Sequence, residues 1–203
     1  MKKFLPIFFA AFLASNYSYA TGLFIGADAL YSDVRHHARN SSTTSGPNNN
    51  ALTKGKQSGY GVNTGARFDL LMLLASGELF YDDLNISSNQ FASSTNSGDR
   101  VKVKDRYGLK LNAGFAILPK VTPFLTLGLS NTRYDINGIT ADSARSKNEL
   151  TPLYGVGLLI DLPLGISLKA AYDYQSYRFN SPSNPAKIRT HLGVARLGIV
   201  YNF

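Results

Sequence analysis

The chain has 203 residues, with 21 Lys plus Arg against 13 Asp plus Glu and a formal charge of +8. That length suits one compact domain or one small barrel. Charged residues are 17% and aromatics 12% of the chain, too apolar and aromatic for a disordered basic tail, and the absence of cysteine excludes disulfide frameworks, thiolate metal sites and thiol redox chemistry.

In chain order the first element is a targeting segment. Met1, Lys2 and Lys3 form a basic head, and Phe4 to Ala14 is an apolar stretch well short of the roughly 20 residues a spanning helix needs. Small residues at Ser18 and Ala20 place signal-peptidase cleavage after Ala20, so residues 1–20 read as a signal peptide and 21–203 as the mature chain. Removing the segment takes away two lysines and leaves +6.

From there the pattern is strand throughout. Tyr60, Val62, Thr64, Ala66, Phe68 and Leu70 alternate with Gly61, Asn63, Gly65, Arg67 and Asp69. The same period of two returns in Tyr107, Leu109, Leu111, Ala113, Phe115 and Ile117. Eight such segments are predicted: 23–34, 59–69, 73–84, 105–118, 122–134, 152–162, 166–177 and 190–203. Each reaches the ~9–11 residues of a tilted membrane strand. The connections at 70–72, 119–121 and 163–165 are tight. Those at 35–58, 85–104, 135–151 and 178–189 are long and rich in Ser, Thr, Asn, Gly and Pro. Short turns at one end and long loops at the other are the pattern of an outer-membrane barrel.

A soluble sandwich would also alternate, but two features oppose it. The polar face is mostly Gly, Ala, Ser, Thr and Asn with isolated charges, which suits a narrow lumen better than a solvated surface. On the apolar face, Tyr31, Tyr60, Tyr81, Tyr107 and Tyr154 fall beside the long loops, and Phe68, Phe115, Tyr201 and Phe203 beside the short turns. Two belts of rings separated by aliphatic residues match the two interfaces of a bilayer. The expected fold is all-β, an eight-stranded antiparallel up-and-down transmembrane β-barrel.

The C-terminus carries a family resemblance. Ala195, Leu197, Ile199, Tyr201 and the terminal Phe203 alternate with Arg196, Gly198, Val200 and Asn202, which resembles the assembly signal of bacterial outer-membrane barrels. The whole mature chain is similar to the small eight-stranded barrels of the opacity-protein and OmpA-transmembrane-domain kind, with residues 23–28 (LFIGAD) similar to their usual first strand. The resemblance implies outer-membrane location in a Gram-negative cell and insertion by the outer-membrane assembly machinery through Phe203, Tyr201 and Ile199. No periplasmic domain is expected after Phe203, so the peptidoglycan-binding role of longer relatives does not transfer.

An interior just wide enough for side chains leaves no diffusion pore. Asp28, Arg67, Glu78, Arg106, Lys110, Lys169, Asp173 and Arg196 are expected to face inward, where charges persist only when paired. Pairing Phe68 with Gly77 across the first tight turn would set Arg67 opposite Glu78, and closing the last strand on the first would bring Arg196 to Asp28. Both pairs are read as luminal salt bridges that fill and stiffen the barrel.

The long loops carry the excess positive charge. Arg35, Arg39, Lys54 and Lys56 lie in the first, with no acid; Arg100, Lys102 and Lys104 in the second; Arg178, Lys187 and Arg189 in the fourth. With Arg145 and Lys147 of the third loop, twelve basic residues face the four acids Asp99, Asp135, Asp142 and Glu149. This electropositive crown has two readings. It neutralises phosphates of the surrounding lipopolysaccharide, or it draws acidic host-cell or serum ligands as a surface antigen and adhesin. The segment 40–50 (NSSTTSGPNNN) has the low complexity of an exposed antigenic loop, and no Arg-Gly-Asp triplet is present.

Enzymatic motifs are missing. There is no Gly-x-Ser-x-Gly, His-Glu-x-x-His or phosphate loop, and no His has Ser two residues on, as the lipid A deacylases of this size do. His191 could reach Asp33 or Ser32 where the barrel closes, which keeps lipid modification as a third reading. His36-His37 lacks a nearby carboxylate and makes a weak metal site. No cofactor, metal or nucleic-acid partner is expected.

Overall fold

The computed structural model describes residues 21–39, 52–70, 72–89, 100–118, 120–137, 145–180 and 187–203. Residues 1–20, read from the sequence as a signal peptide, and the 40–50 stretch lie outside the described residues. Eight strands follow in order: β1 (Thr21–Arg39), β2 (Leu52–Leu70), β3 (Leu73–Asn89), β4 (Arg100–Phe115), β5 (Val121–Asn137), β6 (Arg145–Asp161), β7 (Ile166–Asn180) and β8 (Lys187–Asn202). Each pairs antiparallel with its sequence neighbours, and β8 pairs with β1 to close the barrel.

Alternation sets the wall. Leu109, Leu111, Leu125, Leu127, Leu197 and Ile199 are exposed on the outside, while Asp28, Glu78, Arg106 and Thr126 are buried inside. In hydrocarbon this inversion of the soluble pattern is the stable one, because lipid accepts the apolar face and the lumen holds the polar one.

The strands run further toward the long loops than their alternation suggests. β1 continues to Arg39, β2 begins at Leu52, β3 reaches Asn89 and β6 begins at Arg145. Much of what reads as loop in the sequence is therefore paired wall. These extensions are rich in Ser, Thr, Asn, Lys and Arg, because above the bilayer the outer face meets water and the apolar half of the alternation is no longer required.

The wall is not continuous up there. Among the described residues, β2 and β3 pair no higher than Tyr60 with Asp83, and β6 and β7 no higher than Leu153 with Gln175. The other six pairings continue upward, to His37 with Leu52, Arg39 with Lys187, Asn180 with Lys187, Asn89 with Arg100, Arg100 with Asn137 and Ile136 with Arg145. Above the tyrosine belt the barrel thus divides into two four-stranded sheets, β7-β8-β1-β2 and β3-β4-β5-β6. Local chemistry marks both partings. Asn85 (φ 44°) makes a bulge in β3 just above Asp83, with its amide nitrogen 2.6 Å from Asp83 Oδ1. Pro152, which has no N–H to donate, is the first β6 residue above the last pair with β7.

The lumen is filled in three layers. Leu74, Phe124 and Leu159 pack near the short turns, a belt of charges occupies the middle, and Leu30, Val34, Leu84, Ile86, Val103, Tyr177, Leu192 and Val194 form an apolar core between the two upper sheets. The upper core is a departure from the sequence reading, which expected small and polar residues along the whole interior. Leu84 and Ile86 continue the inward alternation of Glu78, Phe80 and Asp82, and the register shift between Val103 and Asp105 places Val103 on the inner face.

Parting at the belt has a measurable consequence. In lipid, amides of residues 153–161 resist hydrogen exchange, whereas those of 145–152 that face β7 exchange at least tenfold faster; uniform protection along β6 would show that the seam is closed in the membrane.

Candidate functional site

The charged belt draws on five strands. Asp28 comes from β1, Glu78 and Asp82 from β3, Arg106 and Lys110 from β4, Lys169 and Asp173 from β7, and Arg196 from β8. Each of the eight is at most 4% exposed, and four cations meet four carboxylates. Arg196 Nη1 lies 2.6 Å from Asp28 Oδ2, and its Nη2 2.9 Å from both Asp82 and Asp173. Arg106 reaches Asp82 at 2.7 Å and Asp173 at 3.1 Å, and donates to Gln175 Oε1 at 3.2 Å. Lys110 Nζ lies 2.9 Å from Asp173, and Lys169 Nζ 3.4 Å from Glu78 and 3.6 Å from Asp28.

Asp173 Oδ2 is the hub, accepting from Arg106, Lys110 and Arg196. Because β7 stands three strands from β4 in the ring of eight, and Arg196 comes from β8, these bonds tie the barrel across its lumen. Phe80 stands beneath the cations, with Lys110 Nζ 4.2 Å from the ring centroid and the Arg106 and Arg196 guanidiniums at 5.5 and 5.9 Å. Inward glycines give the belt its room: a Cβ at Gly155 would stand 2.8 Å from Asp173 Oδ1, and one at Gly61 2.5 Å from Asp82 Oδ1.

Arg67 does not meet Glu78. The register pairs Phe68 with Ala75 rather than Gly77, so Glu78 sits opposite Gly65 and Arg67 opposite Ser76. The reason is a shorter first turn, since Leu70 pairs directly with Leu73. Arg67 instead spans the short-turn mouth, with Nη1 and Nη2 donating to the two Asp161 oxygens at 2.7 and 2.8 Å and Nε 2.8 Å from Asp69. Ser167 donates to Asp161 at 2.6 Å. Glu78 takes Lys169 and Lys110 as its partners.

Asp82, in the central belt, and Asp161, at the mouth, are absent from the inward charges expected from the sequence. Counting by twos from Glu78 through Phe80 reaches Asp82, but the adjacent Asp83 offers the same charge to the other face and hides the choice.

Of the loop cations, Arg35 and Lys56 are exposed and Lys102 and Lys104 half-buried. Arg35 lies 3.0 Å from Asp33. The side chains of Arg39, Lys54, Arg100, Arg178, Lys187 and Arg189 lie outside the described residues, but their backbone register is clear. Arg35 pairs with Lys54 and with His191, Asp33 with Lys56, His37 with Arg189, Arg39 with Lys187, and Arg178 with Arg189. Seven basic positions therefore share the upper β7-β8-β1-β2 sheet. On the other sheet, Arg100, Lys102, Lys104, Arg133, Arg145 and Lys147 are interleaved with Asp83, Asp105, Asp135 and Glu149. The crown read from the sequence is lopsided.

The histidine constellation considered for lipid chemistry takes a different form. His191 Nδ1 is 2.5 Å from Tyr174 Oη, with the rings stacked at 5.9 Å. Ser32 is fully buried on the inner face and Asp33 engages Arg35, so the structure does not assemble His191 with Ser32 or Asp33 as a hydrogen-bonded triad.

Truncating one member of the belt strands a buried opposite charge. Arg106→Met is expected to lose about 3–5 kcal/mol in urea unfolding from lipid vesicles. Arg67→Met, at the partly exposed mouth, is expected to lose about 1 kcal/mol. Equal losses would show that the central belt is no more desolvated than the mouth.

The fold has close counterparts of known structure. OprG of Pseudomonas aeruginosa superposes with a TM-score of 0.58 at 15% identity, covering 92% of this chain and 98% of that one. Neisserial surface protein A gives 0.52 at 15% identity, with 91% and 100% covered, and a major outer membrane protein of Thermus thermophilus gives 0.52 at 11%, also with 91% and 100% covered. These are likenesses of fold. No curated protein matches the sequence. The model of the OmpA-like transmembrane domain family matches residues 18–203, the whole of the wall described above. A closed barrel with an apolar outer face and a charge-tied lumen is what that match covers, and the chain belongs to the OmpA-like transmembrane domain family of outer-membrane β-barrels.

Proposed function

We propose that this barrel is a surface antigen and adhesin whose basic β7-β8-β1-β2 sheet takes polyanionic ligands, such as sulfated glycosaminoglycans or acidic serum proteins. The observation that carries the reading is the register itself, which gathers Arg35, Arg39, Lys54, Lys56, Arg178, Lys187 and Arg189 on one sheet above the membrane with Asp33 as the acid among them. A field of one sign concentrated on one face steers acidic partners more effectively than the same charge spread round a rim. The apolar core beneath the two sheets supports an external role as well, since it fills the lumen that a solute would have to traverse.

A second reading rests on height. Arg35 stands four residues beyond Tyr31, roughly 9 Å above the belt at the rise and tilt of barrel strands, within reach of outer-leaflet phosphates. In that case the same sheet anchors the barrel among lipopolysaccharide molecules and binds nothing soluble.

Binding of the refolded barrel to immobilised heparin separates the two. The quadruple variant Arg35→Ala, Lys54→Ala, Lys56→Ala, Arg189→Ala is expected to lose roughly tenfold or more in affinity, while Lys102→Ala with Lys104→Ala loses little. Wild-type binding should weaken sharply as salt rises and the Debye length falls toward ~8 Å. No binding at low salt would discard the adhesin reading in favour of the lipid one. Equal losses from the two sheets would discard the single-sheet assignment.

A further inference from the structure

The short turns are apolar where barrel turns are ordinarily polar. Met72 is 60% exposed in the β2–β3 turn, Ile117 and Leu118 are 65% and 62% exposed before β5, and Leu164 is 86% exposed in the 3-10 turn before β7. Packing does not account for them. Leu164 in particular has φ 67°, a left-handed position that ordinarily goes to Gly or Asn, and its side chain points away from the protein.

The dimensions of the wall say what covers these residues. The apolar band of an outer-membrane barrel is about 25 Å tall, and a strand tilted by 35–45° climbs roughly 2.3–2.7 Å per residue. About ten residues are needed to cross it. Counting ten positions from the upper tyrosines leads to the turns on three strands: Tyr60 to Leu70, Tyr107 to Ile117 and Tyr154 to Leu164. Tyr174, counted back along β7, arrives at Leu164 as well. The turn side chains also continue the outward series without a polar break, Phe68 to Leu70 to Met72 on one strand and Phe115 to Ile117 on another, all exposed. The charges at this end turn inward, with Arg67 drawn across the mouth to Asp161 and Asp69, and Lys120 stands exposed at the rim.

We propose that the short turns are embedded in the periplasmic leaflet, with phospholipid acyl chains covering Met72, Ile117, Leu118 and Leu164 and the headgroups meeting Lys120. The barrel then has no collar below the membrane. Its excess height lies entirely on the long-loop side, and its Arg67–Asp161 mouth opens at headgroup level.

The absence of cysteine makes the test direct. Met72→Cys, Ile117→Cys and Leu164→Cys each carry a nitroxide, with Leu111→Cys as the mid-bilayer reference and Lys56→Cys as the aqueous one, in the folded barrel in phosphatidylcholine vesicles. Leu118→Cys or Leu162→Cys replaces any turn variant that fails to fold. Molecular oxygen is expected to relax the turn labels more strongly than a water-soluble nickel chelate, as at Leu111, by severalfold in the accessibility ratio. Turn labels relaxed mainly by nickel, as at Lys56, would overturn the proposal and leave the apolar rim as a contact for a periplasmic protein.

Discussion

In hydrocarbon no water is present to satisfy a backbone amide or carbonyl, and every other feature of this barrel follows from that constraint. Each N–H and C=O between the two apolar ends of the wall must bond to a neighbouring strand, so the sheet has to close on itself, and here it closes with eight strands. The partings at Asp83 and at Leu153 respect the same limit. Both begin at the height of Tyr60, Tyr81, Tyr154 and Tyr174, where water returns and an unpaired strand edge is no longer prohibitively costly. The barrel is therefore closed only over the height that membrane chemistry demands, and above it the chain is free to build two sheets with an apolar core of their own.

Eight strands make the lumen so narrow that side chains must fill it, and the manner of filling sets what the protein can do. Charged side chains held at most 4% exposed are costly to desolvate, and an apolar packing of the same volume would often be as stable. Four cations against four carboxylates around Asp173 offset that cost by pairing, and the pairs reach from β3 and β4 to β7, β8 and β1. Directional bonds across the width specify which walls face each other, a constraint that interchangeable aliphatic side chains would impose less strictly. Leu30, Val34, Leu84, Ile86, Val103 and Leu192 pack above them and cap the belt on the long-loop side.

How much of this was legible depended on whether a physical requirement left a periodic trace. The wall was, because lipid on one side and lumen on the other impose a period of two, and all eight strands follow from it. The inward charges were mostly legible by the same count. Register was not, since shifting β3 by two residues preserves every inward and outward position and changes only the partners. Arg67 accordingly appeared opposite Glu78 in the sequence and lies against Asp161 in the fold. The upper strand ends were hidden for another reason. Beyond the tyrosines both faces of a strand can be polar, so residues such as those from Arg35 to Arg39 carry no alternation to read. Of the apolar core, Val103 was obscured by the irregularity near Lys104, where one extra residue resets the inward count of β4, whereas Leu84 and Ile86 continue the even-numbered inward series of Glu78, Phe80 and Asp82.

The distribution of charge connects the wall to the surface. Inside the membrane the belt is balanced, four against four, and contributes little net field beyond its own radius. At the short-turn end Arg67 is held by Asp69 and Asp161. What remains of the chain's positive excess is therefore carried above the tyrosine belt, and the register concentrates it on β7, β8, β1 and β2. Because that sheet parts from its neighbour at β2/β3 and β6/β7, its basic positions stand on a separate face rather than round a continuous ring. An acidic ligand approaching from outside meets a strong field on one side of the barrel and a weaker one, interleaved with acids, on the other, so charge and topology together give the exposed end an orientation that neither would supply alone.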